Sequence, residues 1–143
     1  MNINPIVIWL LRSPLHRLLS GSTMLVTYQG RKSKRQITLP VNYVWDGEQL
    51  ITLSMRKRTW WRNLRRGAPV TLRLKGKNLP AQAEAVDEIE RLLPGLKVLL
   101  KQMPQAARYL QVTYDEQGEP DPEDLRRAAE GRVIVRFLPG QLV

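Results

Sequence analysis

Apolar and polar positions alternate in a series of short runs along this chain. The clearest is residues 37–45. Ile37, Leu39, Val41, Tyr43 and Trp45 fall on one face, with Thr38, Pro40 and Asn42 on the other. Residues 24–28 form an earlier strand-like run. Asp46-Gly47 is a hairpin turn signal, and residues 49–54 return from it. Residues 70–75 alternate, Gly76-Lys77-Asn78 turns the chain, and residues 79–86 are the partner. A last strand spans 132–138, with Val133, Val135 and Phe137 opposed to Ile134 and Arg136. Pro40 cannot donate to a ladder, so its strand is an edge or is bulged there.

Helical spacing appears elsewhere. Residues 2–20 read as an amphipathic helix, capped by Asn4 with Pro5 at its first position and bent or ended at Pro14. A short helix is predicted over 59–66, closed by Gly67. Asp87 caps a helix over 88–93 that Pro94-Gly95 interrupts, and 96–102 and 105–110 continue helically. Asp121-Pro122-Glu123-Asp124 opens a final short helix. Six short strands joined mainly by hairpins predict an α+β protein that is mainly β: a six-stranded antiparallel barrel with helices outside it. The expected organisation is one domain, 1–143, with a helix over 1–20, a barrel core over 23–86, a helical insert over 87–130 and a last strand over 131–138.

Composition narrows the chemistry. There is no cysteine, and His16 is the one histidine. Disulfides, thiolate metal sites, a cysteine nucleophile and a histidine-rich metal site are therefore excluded, and no metal is expected. No Gly-x-Ser-x-Gly elbow and no Gly-x-Gly-x-x-Gly fingerprint are present. The net charge is +10, unevenly spread. Residues 1–77 carry 15 Lys/Arg against Asp46 and Glu48, and residues 78–143 carry 8 against 11 acids. Such a field concentrates polyanions. Its densest point is Gly30-Arg31-Lys32-Ser33-Lys34-Arg35, on a turn between two strands, where free backbone amides can meet an anion beside the side-chain charges. A solvated basic loop is the plain alternative. The apolar run 6–11 is far shorter than the ~20 residues that span a bilayer. Cytoplasm is the expected location, with peripheral membrane contact through residues 2–20 as an alternative: Trp9 in lipid, with Arg12, His16 and Arg17 at the headgroups.

Gly30-Arg31-Lys32-Ser33, followed by Thr38-Leu39-Pro40-Val41, resembles the phosphate-side motif of the deazaflavin-dependent nitroreductase family. A second match is the stretch from Ser54-Met55 through Arg58-Thr59-Trp60-Trp61-Arg62-Asn63-Leu64 to Ala68-Pro69-Val70. The likeness covers about residues 4–86. It implies a split β-barrel of the FMN-binding, pyridoxamine-phosphate-oxidase type, binding the deazaflavin coenzyme F-420, or alternatively FMN, as a homodimer. By that likeness Lys32, Ser33, Lys34 and Arg35 hold the coenzyme's phosphate or acidic tail. Thr38, Leu39, Pro40 and Val41 line its ring, and Ser54, Met55, Arg58, Trp60, Trp61 and Asn63 flank ring or tail. Tyr109 and Tyr114 are candidate proton donors. Lys34 stands where the family usually has glycine, and Ile37 where an arginine is common. Lys34, Arg56 and Arg58 are the cations that can replace that arginine. The implied activity is hydride transfer to a small quinone, enone or nitro acceptor. Two other classes remain beside it: a nucleic-acid module using the basic half with Trp60-Trp61 as a stacking platform, and a cofactor-free scaffold.

Overall fold

The computed structural model describes residues 2–3 and 23–140. Among these residues eight strands form one sheet: β1 (Asn2–Ile3), β2 (Thr23–Gln29), β3 (Gln36–Asn42), β4 (Val44–Asp46), β5 (Gln49–Met55), β6 (Ala68–Leu74), β7 (Lys77–Val86) and β8 (Arg132–Pro139). Their order across the sheet is β1-β3-β2-β6-β7-β8-β5-β4. Every pairing is antiparallel except β1 with β3. A 3-10 turn, Trp60–Leu64, follows β5. Three helices, α1 (Ile89–Gln102), α2 (Ala106–Leu110) and α3 (Pro122–Glu130), lie between β7 and β8.

The expected strand 37–45 is two strands, divided at Tyr43. This division closes the barrel. Its first part pairs with β2 near one edge of the sheet and its second with β5 at the other, so one stretch of chain joins the two edges. Pro40 sits in unbroken register opposite Leu25, so no bulge occurs. The edge alternative is the one found among the described residues, where β1 covers β3 only at Ile37 and Thr38. Asn2 and Ile3 are strand where a helix was expected, and the remainder of the proposed helix 2–20 lies outside the described residues.

Period-2 alternation produces two cores, one on each face of the sheet. Val26, Leu50, Leu72, Val133, Val135 and Phe137 point into the barrel with Trp61 and Leu64. Val44, Ile51, Val86 and Ile134 point outward under the helices and meet Leu92, Leu96, Leu99, Leu100 and Leu125.

Pro94-Gly95 does not break α1, which runs through both residues. An interior proline costs about 3 kcal/mol. Each fully buried leucine returns about 1.5–3 kcal/mol, and Leu92, Leu96, Leu99 and Leu100 are all buried on the sheet side. Gly95 makes that burial attainable, because a Cβ there would stand 2.8 Å from Ile134 Cδ1. Asp121 caps α3 as expected, accepting the Asp124 N–H at 3.0 Å. No described helix is long and apolar enough to cross a membrane.

Candidate functional site

The basic turn between β2 and β3 is tight. The Lys34 N–H donates to the Gly30 carbonyl at 3.0 Å, and the Gly30 N–H donates to the Arg35 carbonyl at 2.9 Å. Lys34 is left-handed, with φ 61°. It takes up a conformation that glycine adopts more readily. Ser33 Oγ accepts the Arg35 N–H at 3.2 Å. A Cβ on Gly30 would stand 2.7 Å from that hydroxyl, so any other residue there would require Ser33 to turn aside. Lys32, Ser33, Lys34 and Arg35 are all exposed. Among the described residues none of Lys32, Lys34 or Arg35 is paired with a carboxylate.

Asn63 joins this turn to the 3-10 turn. Its Oδ1 accepts the Arg31 N–H at 2.9 Å, and its Nδ2 donates to the Trp60 carbonyl at 2.9 Å. The Trp60 indole N–H then donates to Ser54 Oγ at 2.9 Å, and Ser54 donates to the Met55 carbonyl at 3.2 Å. A continuous path of bonds therefore runs from the basic turn to the end of β5. It links the two stretches that carry the sequence resemblance. Asn63 was expected to flank a ligand; both ends of its amide are spent holding the two turns together.

Trp61 also departs from expectation. It is 1% exposed, packed in the barrel core, with its indole N–H on the Arg56 carbonyl at 3.3 Å. Arg65 and Arg62 lie over its ring at 4.9 and 5.7 Å. Neither tryptophan of this pair faces outward, since both rings are buried in the barrel core. Arg56 is largely committed elsewhere, its Nε and Nη2 donating to the backbone carbonyls of Asp87 (2.6 Å), Arg132 (3.1 Å) and Glu130 (3.2 Å).

A cavity of about 540 Å³ opens where the bonded path ends. Its barrel side is built from Pro40, Val41 and Asn42 of β3, from Leu53, Ser54 and Met55 of β5, and from Arg58 and Trp60. Its helical side is Leu99 of α1, Met103, and Ala106, Tyr109 and Leu110 of α2, with Arg132 at the start of β8. Six of the expected coenzyme residues line it: Pro40, Val41, Ser54, Met55, Arg58 and Trp60. The basic turn does not, nor does Thr38, whose hydroxyl bonds that of Thr27 at 2.7 Å, nor Leu39, packed on the barrel core. Tyr109 lines the cavity and is 71% exposed, whereas Tyr114 lies away from it in a bridge to Pro120. Burial pushes the phenols of Tyr28 and Tyr43 up, the Arg58 charge partly offsetting this at Tyr28.

The helical side was not foreseen. Asn42 extends the run 38–41 and was within reach. Arg132 reads in sequence as an ordinary first residue of a strand, and only its register opposite Met55 brings it here.

No protein-family model matches the chain, and no curated relative is found by sequence. Solved structures do match. A presumed pyridoxamine 5'-phosphate oxidase from Listeria innocua superposes with a TM-score of 0.53 at 15% identity, over 89% of this chain and 90% of that one. A pyridoxamine 5'-phosphate oxidase-related, FMN-binding protein from Nostoc punctiforme gives 0.51 at 15% identity, over 96% and 82%. A chain described as a domain-swapped dimer gives 0.52 at 16%, over 92% and 98%. The architecture is thus the split β-barrel of the pyridoxamine-phosphate-oxidase type.

Proposed function

We propose that this chain is an oxidoreductase that holds a flavin-type coenzyme, the deazaflavin F-420, for hydride transfer to a quinone, enone or nitro acceptor. The observation that carries the reading is the Asn63 bridge. It fixes an exposed, carboxylate-free cluster of cations relative to a cavity whose size suits a fused-ring ligand. At ~3.3 Å per residue, β3 sets Pro40 roughly 17 Å from Arg35. A coenzyme with a phosphate at one end and a ring at the other spans about that distance.

In this reading Lys32, Ser33, Lys34 and Arg35 take the anionic arm. Pro40, Val41, Met55 and Trp60 meet the ring, and Arg58 adds a cation to the cavity lining. Trp60 is held in place by Ser54, so its ring face is preorganised. The coenzyme, when bound, supplies the hydride chemistry, and the chain supplies binding, orientation and exclusion of water. The Nostoc neighbour's FMN supports a flavin-type ring. The likeness of the Gly30–Ser33 and Trp60–Leu64 stretches favours the deazaflavin over FMN. We read the chain as a homodimer on the likeness to the domain-swapped dimer. The nucleic-acid alternative loses its stacking platform, since Trp61 is buried under two arginines and Trp60 lies in the cavity wall.

Oxidised F-420 and FMN, titrated separately into the purified protein at low salt, test the reading by absorbance and tryptophan quenching. Saturable F-420 binding at micromolar concentration or better is expected, with FMN weaker. A Lys32→Glu plus Arg35→Glu variant should stay folded and lose binding at least ten-fold. Absence of saturable binding by either coenzyme refutes the proposal.

A further inference from the structure

The helical side of the cavity lies outside the coenzyme contacts proposed above, and its chemistry is different. Leu99, Met103, Ala106 and Leu110 make it apolar. Set into it is Arg132, half-buried, with no carboxylate within 4.0 Å among the described residues. A guanidinium partly withdrawn from water without a counter-charge is costly, and an arriving anion relieves that cost. Arg58, the cavity's other cation, is exposed and already compensated by water.

Arg132 is also held still. Its backbone pairs with Met55, and its carbonyl accepts from Arg56 at 3.1 Å. Its guanidinium donates to the Ala128 carbonyl at 3.2 Å and lies over the Tyr109 ring at 5.9 Å. These contacts fix its direction without neutralising its charge. A fixed planar fork can meet a carboxylate with two parallel bonds, which a flexible ammonium cannot do.

We propose that the helical side of the cavity binds a flat, apolar molecule bearing a carboxylate, and that Arg132 is the residue that recognises it. The proposal rests on the preceding reading only in taking this molecule as the hydride acceptor; binding itself requires no coenzyme. The apolar wall favours the ring system. Arg132 favours the anionic oxygen and disfavours a neutral isostere, which would cover the guanidinium without satisfying it.

The test uses 2-naphthoate and 2-naphthylmethanol, titrated separately into the full chain at pH 7 and followed by tryptophan quenching. The acid is expected to bind at least ten-fold more tightly than the alcohol. Arg132→Gln should weaken the acid at least ten-fold and leave the alcohol within two-fold. Arg132→Lys should recover part of the preference. Arg108→Gln, which removes a charge from an exposed position on α2, should leave it intact. Equal binding of the two probes by the unaltered protein overturns the proposal without any variant, as does a preference that follows Arg58 rather than Arg132. The coenzyme titrations run alongside separate the two readings. Coenzyme binding without carboxylate preference defeats this inference alone, and the converse defeats the coenzyme reading alone.

Discussion

The two sides of the cavity are held by different forces. On the barrel side, Asn63, Trp60 and Ser54 satisfy one another's hydrogen bonds in sequence, and the rings involved belong to the barrel core. Position there is set by directional bonds and by a core that cannot yield locally. On the helical side, Leu99, Met103 and Leu110 are held by packing of the helices on the outer face of β5 and β8. Aliphatic contacts and a thioether adapt to what they meet. One side is therefore suited to fixing a ring in one pose and the other to accommodating molecules of varied outline. This difference implies that damage to the barrel side unfolds the whole protein, and that damage to the helical side can remain local.

Trp61→Ala probes the first half of that contrast and carries the largest expected effect. The side chain is fully buried and also donates to the Arg56 carbonyl. Truncation of this kind costs about 3–5 kcal/mol. Chemical denaturation should show one cooperative transition moved to lower denaturant, with both probes of the cavity lost along it. A loss below about 1 kcal/mol would mean that the turn is not part of the barrel core. Gly95→Val probes the other half. Its added carbons meet Ile134 Cδ1 inside contact distance. Overpacking there costs about 1–3 kcal/mol, and α1 lifts from β8. Binding of 2-naphthylmethanol should fall several-fold while the near-ultraviolet tryptophan signal of the barrel is kept. Loss of that signal in step with binding would collapse the distinction between the two sides.

The barrel side was largely legible in the sequence, because its positions follow local rules. Alternation located β2, β5, β6, β7 and β8, and Asp46-Gly47 located the turn between β4 and β5. What failed there were contacts between distant stretches. Asn63 reads as one more polar residue beside a tryptophan pair, and its partner Arg31 lies 32 residues away. Trp61 reads as a residue flanking a ligand until its burial in the barrel core is seen. The helical side was legible as helices and not as a wall. Pro94-Gly95 signals a break by every local rule, and only Ile134, far along the chain, makes a glycine there an advantage. Arg132 carries no local signal, since its significance lies in the carboxylate it lacks.

The smallest effect expected belongs to Asp124, at the outer edge of the helical layer. Its Oδ2 accepts from the Thr113 hydroxyl at 2.6 Å and the Thr113 N–H at 3.0 Å, and its Oδ1 pairs with Arg127 at 3.0 Å. The Thr113 hydrogen bonds, with the Arg127 charge behind them, hold the carboxyl below its ordinary range. A folded value below the unfolded one, about 3.9, means that the charged form favours the folded state. That stabilisation is complete above the unfolded value and is lost as pH falls through the folded one. The Thr113 amide resonance should therefore titrate with a midpoint below the ordinary aspartate range. Asp124→Asn should flatten the acid side of the melting-temperature profile without moving its plateau far. If the two sides of the cavity are independent in the manner argued, acidification through this midpoint loosens the segment between α2 and α3 and leaves the Trp60 environment unchanged. A tryptophan signal that titrates together with Thr113 would show instead that the helical layer and the barrel yield as one body.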